Sequence, residues 1–116
     1  LDETDLSGAD LSDAVLARAH LQEAWLRQTL LTNAYFESAD LLQANFYGAK
    51  MRSAHLSGAK LQRTHFTHAD LSQATLMGAT ILRTGFDQTI LDSAEVGNMD
   101  WLESLPLLGQ DSIRGL

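Results

Sequence analysis

Three kinds of residue in this chain have the chemistry to act on something else. His65 and His68 stand three residues apart, close enough for two imidazoles to share a metal ion, with His55 earlier in the chain. A metal site also needs partners that orient its ligands, and the pattern around these residues supplies none, so exposed, structurally neutral histidines are the better reading. Thr64 and Thr84 sit two residues before Phe66 and Phe86 and could be buried nucleophiles. Neither has a base beside it, and a hydroxyl standing in for a methyl group while bonding to backbone is the simpler role. Gly8, Gly48, Gly58 and Gly78 are isolated from one another, which fits corner turns at positive φ and not a phosphate-cradling loop. The absence of cysteine excludes a thiolate nucleophile, a zinc-thiolate centre and a disulfide framework. The chain is therefore read as no enzyme, with no catalytic, cofactor or metal residues and no cofactor.

The elements that must position these side chains are set by a five-residue period. Reading from Leu6 in steps of five gives large apolar residues at every position through Trp101: Leu in most places, Phe at 36, 46, 66 and 86, Met51, Ile81 and Val96 elsewhere. Two residues before each centre stands a small residue, Ala in most repeats, Thr at 4, 29, 64, 84 and 89, with Met99 as the exception. On an α-helix a step of five turns the chain by about 500°, so the centres would wander around the surface. On a strand the step is odd, and successive centres would point to opposite faces. A chain that turns a corner once per repeat satisfies the pattern, because it returns each centre to one interior axis. The small position then also faces inward, where only Ala or Thr fits at native packing density. The other three positions face outward and carry nearly all the charge.

Stretches such as Ala9-Asp10-Leu11-Ser12-Asp13, Ala39-Asp40-Leu41-Leu42-Gln43 and Ala69-Asp70-Leu71-Ser72-Gln73 resemble the A(D/N)LXX consensus of pentapeptide-repeat proteins. The resemblance spans about nine tenths of the chain. It implies an all-β fold, a right-handed quadrilateral β-helix with four repeats per coil. Twenty repeats then make about five coils, roughly 24 Å tall at about 4.8 Å per layer. The same register stacks Phe46, Phe66 and Phe86 above Leu26 and Leu6. The expected domain is this solenoid over residues 1–103, followed by a C-terminal cap at 104–116, in which Leu105, Leu107, Leu108, Ile113 and Leu116 would cover the last coil. No such cap precedes Leu6, and that makes homodimerisation through an uncapped N-terminal coil an expectation.

A net charge of −7 disfavours non-specific binding to nucleic acid or an anionic membrane. No apolar run approaches the roughly 20 residues of a membrane span. The compartment stays open: cytoplasm is favoured, with thylakoid lumen or periplasm if a leader has been removed. Acidic residues gather towards both ends, whereas Lys50, Arg52, Lys60 and Arg63 form a basic band between them. In a four-repeat register Leu42, Leu82 and Leu102 share one outer column beside Arg63 and Arg83, and these five residues are the candidate surface for a protein partner. The expected function is a non-enzymatic scaffold for protein–protein interaction. Some pentapeptide-repeat proteins inhibit or protect DNA gyrase by mimicking duplex DNA, and the resemblance implies that role as the alternative.

Overall fold

The computed structural model describes residues 1–97, and within them every five-residue repeat has the same local form. The N–H of the small residue donates back to the carbonyl of the preceding centre, as from Ala9 to Leu6 at 3.1 Å and from Ala14 to Leu11 at 3.0 Å, closing a turn over the two residues between. The second of those two residues has positive φ, the signature of a type II turn. Gly58 takes it at +70°, but so do fifteen residues with side chains, among them Glu23 at +60° and Arg63 at +59°. Each such residue costs about 1–2 kcal/mol relative to the right-handed region. The turns persist because the bonds and packing on either side of them fix the conformation.

After four such turns the chain lies directly above itself. Single residues pair in parallel at a spacing of twenty, from Asp5 with Trp25 to Thr75 with Glu95. The hydrogen bonds between layers explain the regularity. The centre N–H rises to the residue before the next centre up, as from Leu6 to Trp25 at 2.7 Å, and the second turn residue does likewise, as from Gly8 to Arg27 at 3.0 Å. The paired residue donates downward, as from Trp25 to Thr4 at 2.8 Å. With the turn bond, four of the five N–H groups in a repeat find backbone acceptors.

The fifth N–H belongs to the first turn residue, and side chains accept it. Asp5, Asp10, Asp40, Asn45 and Asp70 take the N–H two residues ahead, with Asn45 receiving that of Tyr47 at 2.9 Å and Asp70 that of Ser72 at 2.9 Å. Where that residue is not an acid or Asn, the layer below can substitute: Gln22 donates to Asp2 at 2.8 Å and Arg27 to the Ser7 hydroxyl at 3.2 Å. An Asp or Asn before the centre is thus the residue that completes the hydrogen bonding of the turn.

The centres fill the interior. Leu26, Phe46, Phe66 and Phe86 form one buried column, with ring centroids 5.2 Å apart between Phe46 and Phe66 and 5.6 Å between Phe66 and Phe86. Phe36 meets Phe46 edge to face at 5.8 Å, linking that column to its neighbour.

The all-β class and the right-handed quadrilateral β-helix, or solenoid, implied by the resemblance need correction. Among the described residues there is no helix, and every β-pairing is an isolated bridge of one residue with one residue, not a strand in a sheet. The reason lies in the turns: a positive φ every fifth residue bends the chain away before a second consecutive residue can join the bridge. The cap expected at 104–116, the end of the 1–103 unit and Leu102 lie outside the described residues.

Candidate functional site

The candidate partner surface lies on turn residues, and the turn decides where its side chains point. Leu42 and Leu82 occupy the first turn position and Arg63 and Arg83 the second, two columns that meet at one corner. Backbone bonds hold successive layers of this corner in register, with Gln43 donating to Gln62 at 3.1 Å and Arg63 to Leu82 at 3.1 Å. Leu82 is 65% exposed, Leu42 is half-buried, and Gln62 separates them on their column. Both arginines are exposed. Arg52 pairs with Asp70 at 3.9 Å and His55 stands 3.9 Å from Glu37, whereas neither Arg63 nor Arg83 forms an ion pair among the described residues.

The other residues with chemical potential have ordinary structural work. Thr64 Oγ1 donates to the Leu41 carbonyl at 2.7 Å, Thr84 Oγ1 to Leu61 at 2.5 Å and Thr89 Oγ1 to Phe66 at 2.8 Å, each reaching the layer below. Thr29 instead bonds within its own turn, to Leu26 at 2.6 Å. His65 and His68 are both exposed, and the ring of His68 lies edge-on to Tyr47 at 5.2 Å. Among the described residues no three of His, Cys, Asp or Glu converge on a metal position. Among the described residues the interior is filled by hydrocarbon, and the buried hydroxyls of Thr29, Thr64, Thr84 and Thr89 are engaged by carbonyls.

The surface also holds pairings that reading along the sequence missed. Tyr35 stacks face to face on His55 at 4.6 Å, and the Arg27 guanidinium lies 5.5 Å from the centre of the Tyr47 ring. Each is a contact between adjacent layers, so a twenty-residue offset applied to outward positions would have revealed them. The lower half of the Arg63–Arg83 column is acidic, with Glu3 and Glu23 below Gln43. Beside it runs an open groove of about 460 Å³ lined by Glu3, Glu23, Trp25, Gln43, Asn45 and His65. The Ser7 backbone N–H, together with its hydroxyl and the charge of Arg27, holds the Asp5 carboxyl below its usual pKa, and the Ser12 N–H and hydroxyl do the same for Asp10.

The family model for pentapeptide repeats matches residues 1–33, 29–67 and 54–92. The chain belongs to the pentapeptide-repeat family. Among solved structures it is similar to a pentapeptide repeat protein from the Arabidopsis thaliana thylakoid lumen, with 30% identity and a TM-score of 0.67. That match covers 81% of this chain and 62% of the Arabidopsis protein, so the chain spans about three fifths of its relative's length. A pentapeptide repeat protein from Nostoc Pcc 7120 matches over 98% of this chain and 86% of its own length, with a TM-score of 0.67; at 23% identity it shares the fold. No curated protein matches the sequence. Among the described residues no helix is long and apolar enough to cross a membrane.

Proposed function

We propose that this pentapeptide-repeat protein is a scaffold that engages another protein through the corner carrying Leu42, Arg63, Leu82 and Arg83. One observation carries the reading: Leu82 is 65% exposed beside two exposed arginines. A large apolar side chain offers area to desolvate, and arginine adds planar, bidentate recognition of carboxylates, the pairing that binding surfaces favour. The partner that fits is a protein with an apolar pocket bordered by acidic residues. The test is affinity capture from the source organism with the wild type and with Arg63→Ala/Leu82→Ala/Arg83→Ala in parallel. A partner held by the wild type and by a Thr75→Ala control, but lost by the triple variant, supports the corner. Equal retention by all three proteins places the contact elsewhere.

Mimicry of duplex DNA towards gyrase requires an unbroken acidic stripe. Lys50, Arg52, Lys60 and Arg63 are all exposed and interrupt any such stripe at mid-height, which favours the scaffold. A supercoiling assay separates the two readings, because the scaffold neither inhibits nor protects gyrase.

A further inference from the structure

The corner column that ends in the two arginines has an ordered charge along its whole described length. From bottom to top it reads Glu3, Glu23, Gln43, Arg63, Arg83, one residue per layer. The four charged members are exposed, and none of them belongs to an ion pair within the described residues. Reversing this order end for end exchanges every acid with a base and returns Gln43 to itself. A surface with that property is complementary to its own antiparallel copy.

We propose that this flank is a self-association surface, on which a second copy of the chain docks antiparallel about a two-fold axis passing through Gln43. The axis lies in the interface and runs across the stack, so each column faces the same column of the other copy with its order reversed. Glu3 then faces Arg83 and Glu23 faces Arg63, each pair occurring twice, as a two-fold interface requires. The neighbouring column obeys the same operation: Trp25, 47% exposed, comes opposite His65, and Asn45 opposite itself. The groove between these columns leaves room for the facing side chains to interdigitate. The same rotation applied to the next flank would set Lys50 against Lys50 and Arg52 against Arg52, a like-charge clash at the axis. Charge therefore selects one flank over the other.

The available area sets the strength. Five layers at about 4.8 Å make the stack about 24 Å tall, and at a width of about 20 Å one flank offers about 500 Å² and a pair buries about 1,000 Å², in the range of weak, transient interfaces. The association is accordingly reversible, and its charge pairs make it weaken as salt rises. This inference extends the proposed docking corner downward to its acidic half and names the partner, but does not require a different protein to bind there.

Sedimentation equilibrium at low ionic strength tests it with two charge-reversed proteins, Glu3→Arg/Glu23→Arg and Arg63→Glu/Arg83→Glu. All four positions sit at positive φ, a conformation that both Glu and Arg already adopt in this chain, so the exchanges make no new backbone demand. The wild type is expected to pass from monomer to dimer as concentration rises. Each reversed protein alone should dimerise on the order of tenfold more weakly or worse, since like charges then face each other. An equimolar mixture should dimerise again, because one copy presents four arginines to four glutamates on the other, and that recovery also shows that both variants are folded. A wild type monomeric up to millimolar concentration, or reversed proteins that dimerise alone as well as the wild type does, would overturn the proposal. Either failure leaves the capture experiment on the Leu82 corner unaffected, so the two readings fall separately.

Discussion

Replacing Phe66 by alanine should remove a large part of the stability of the whole stack. Phe66 has no solvent exposure and lies between two rings, 5.2 Å from Phe46 below and 5.6 Å from Phe86 above. Truncating a buried phenylalanine costs about 3–5 kcal/mol, through lost burial and the cavity left behind. Stacked ring pairs contribute about 0.5–1.5 kcal/mol each beyond their area, and two are lost here, which puts the change at the upper end of that range. A domain of this size is stable by about 5–15 kcal/mol, so a third or more of the total disappears. At about 4–8 °C per kcal/mol, a loss of about 5 kcal/mol should lower the midpoint by about 20–40 °C. Leucine is the informative comparison, because Leu26 already occupies this column two layers down. Phe66→Leu refills most of the volume, forfeits the stacking and should cost about 1–2 kcal/mol. Calorimetry and urea denaturation of the three proteins give the values. If alanine and leucine cost the same, or alanine costs less than about 1 kcal/mol, the column is not the packed interior described above.

Thr64→Val keeps the shape and removes the hydroxyl bond to Leu41, whose carbonyl retains the Ala44 N–H at 2.9 Å; the loss should be about 1 kcal/mol, read from the urea midpoint. Gly8→Ala and Gly58→Ala both force a side chain to positive φ at about 1–2 kcal/mol. The second should cost more, because its new methyl would stand 3.3 Å from Ser38 Oγ whereas nothing lies within 4 Å at Gly8; thermal melts of the pair show the difference. The carboxyls of Asp5 and Asp10 titrate below their unfolded value, so they stabilise the fold above about pH 4. That contribution is lost as pH falls through the lower, folded pKa. Asp5→Asn/Asp10→Asn keeps the acceptors and should flatten the fall in urea midpoint below pH 4.

The interior was legible because one residue type recurs at one spacing. Every centre from Leu21 to Leu91 is buried in the position that the five-residue period assigns to it, and Thr64 and Thr84, which stand where most repeats have alanine, bond to backbone as their chemistry suggested. The turn geometry was only partly legible. Glycine advertised positive φ at Gly8, Gly48, Gly58 and Gly78, but Glu23, Gln28, Ser38 and Arg63 adopt it without any compositional sign. There the neighbouring bonds override the local preference. The strand content was misjudged for the same reason, since a turn in every repeat limits each β-pairing to one residue. On the surface, the leucine and arginine corner follows from the twenty-residue register. The acidic lower half of that corner went unread because Glu3 was counted with the acidic start of the chain and Glu23 only among the outward charges, and neither along their shared column.

In the repeats from Leu21 to Thr75, four of the five N–H groups are answered by main-chain carbonyls, and side chains are asked only to be bulky or small on the inside and to offer an occasional acceptor before the centre. Mutation on the exterior is thereby uncoupled from foldability. A lineage could rewrite one flank residue by residue, exchanging whatever it meets for something else, while the layer beneath went on presenting the same template to the layer above. Divergence in what such molecules touch can then run far ahead of divergence in their shape.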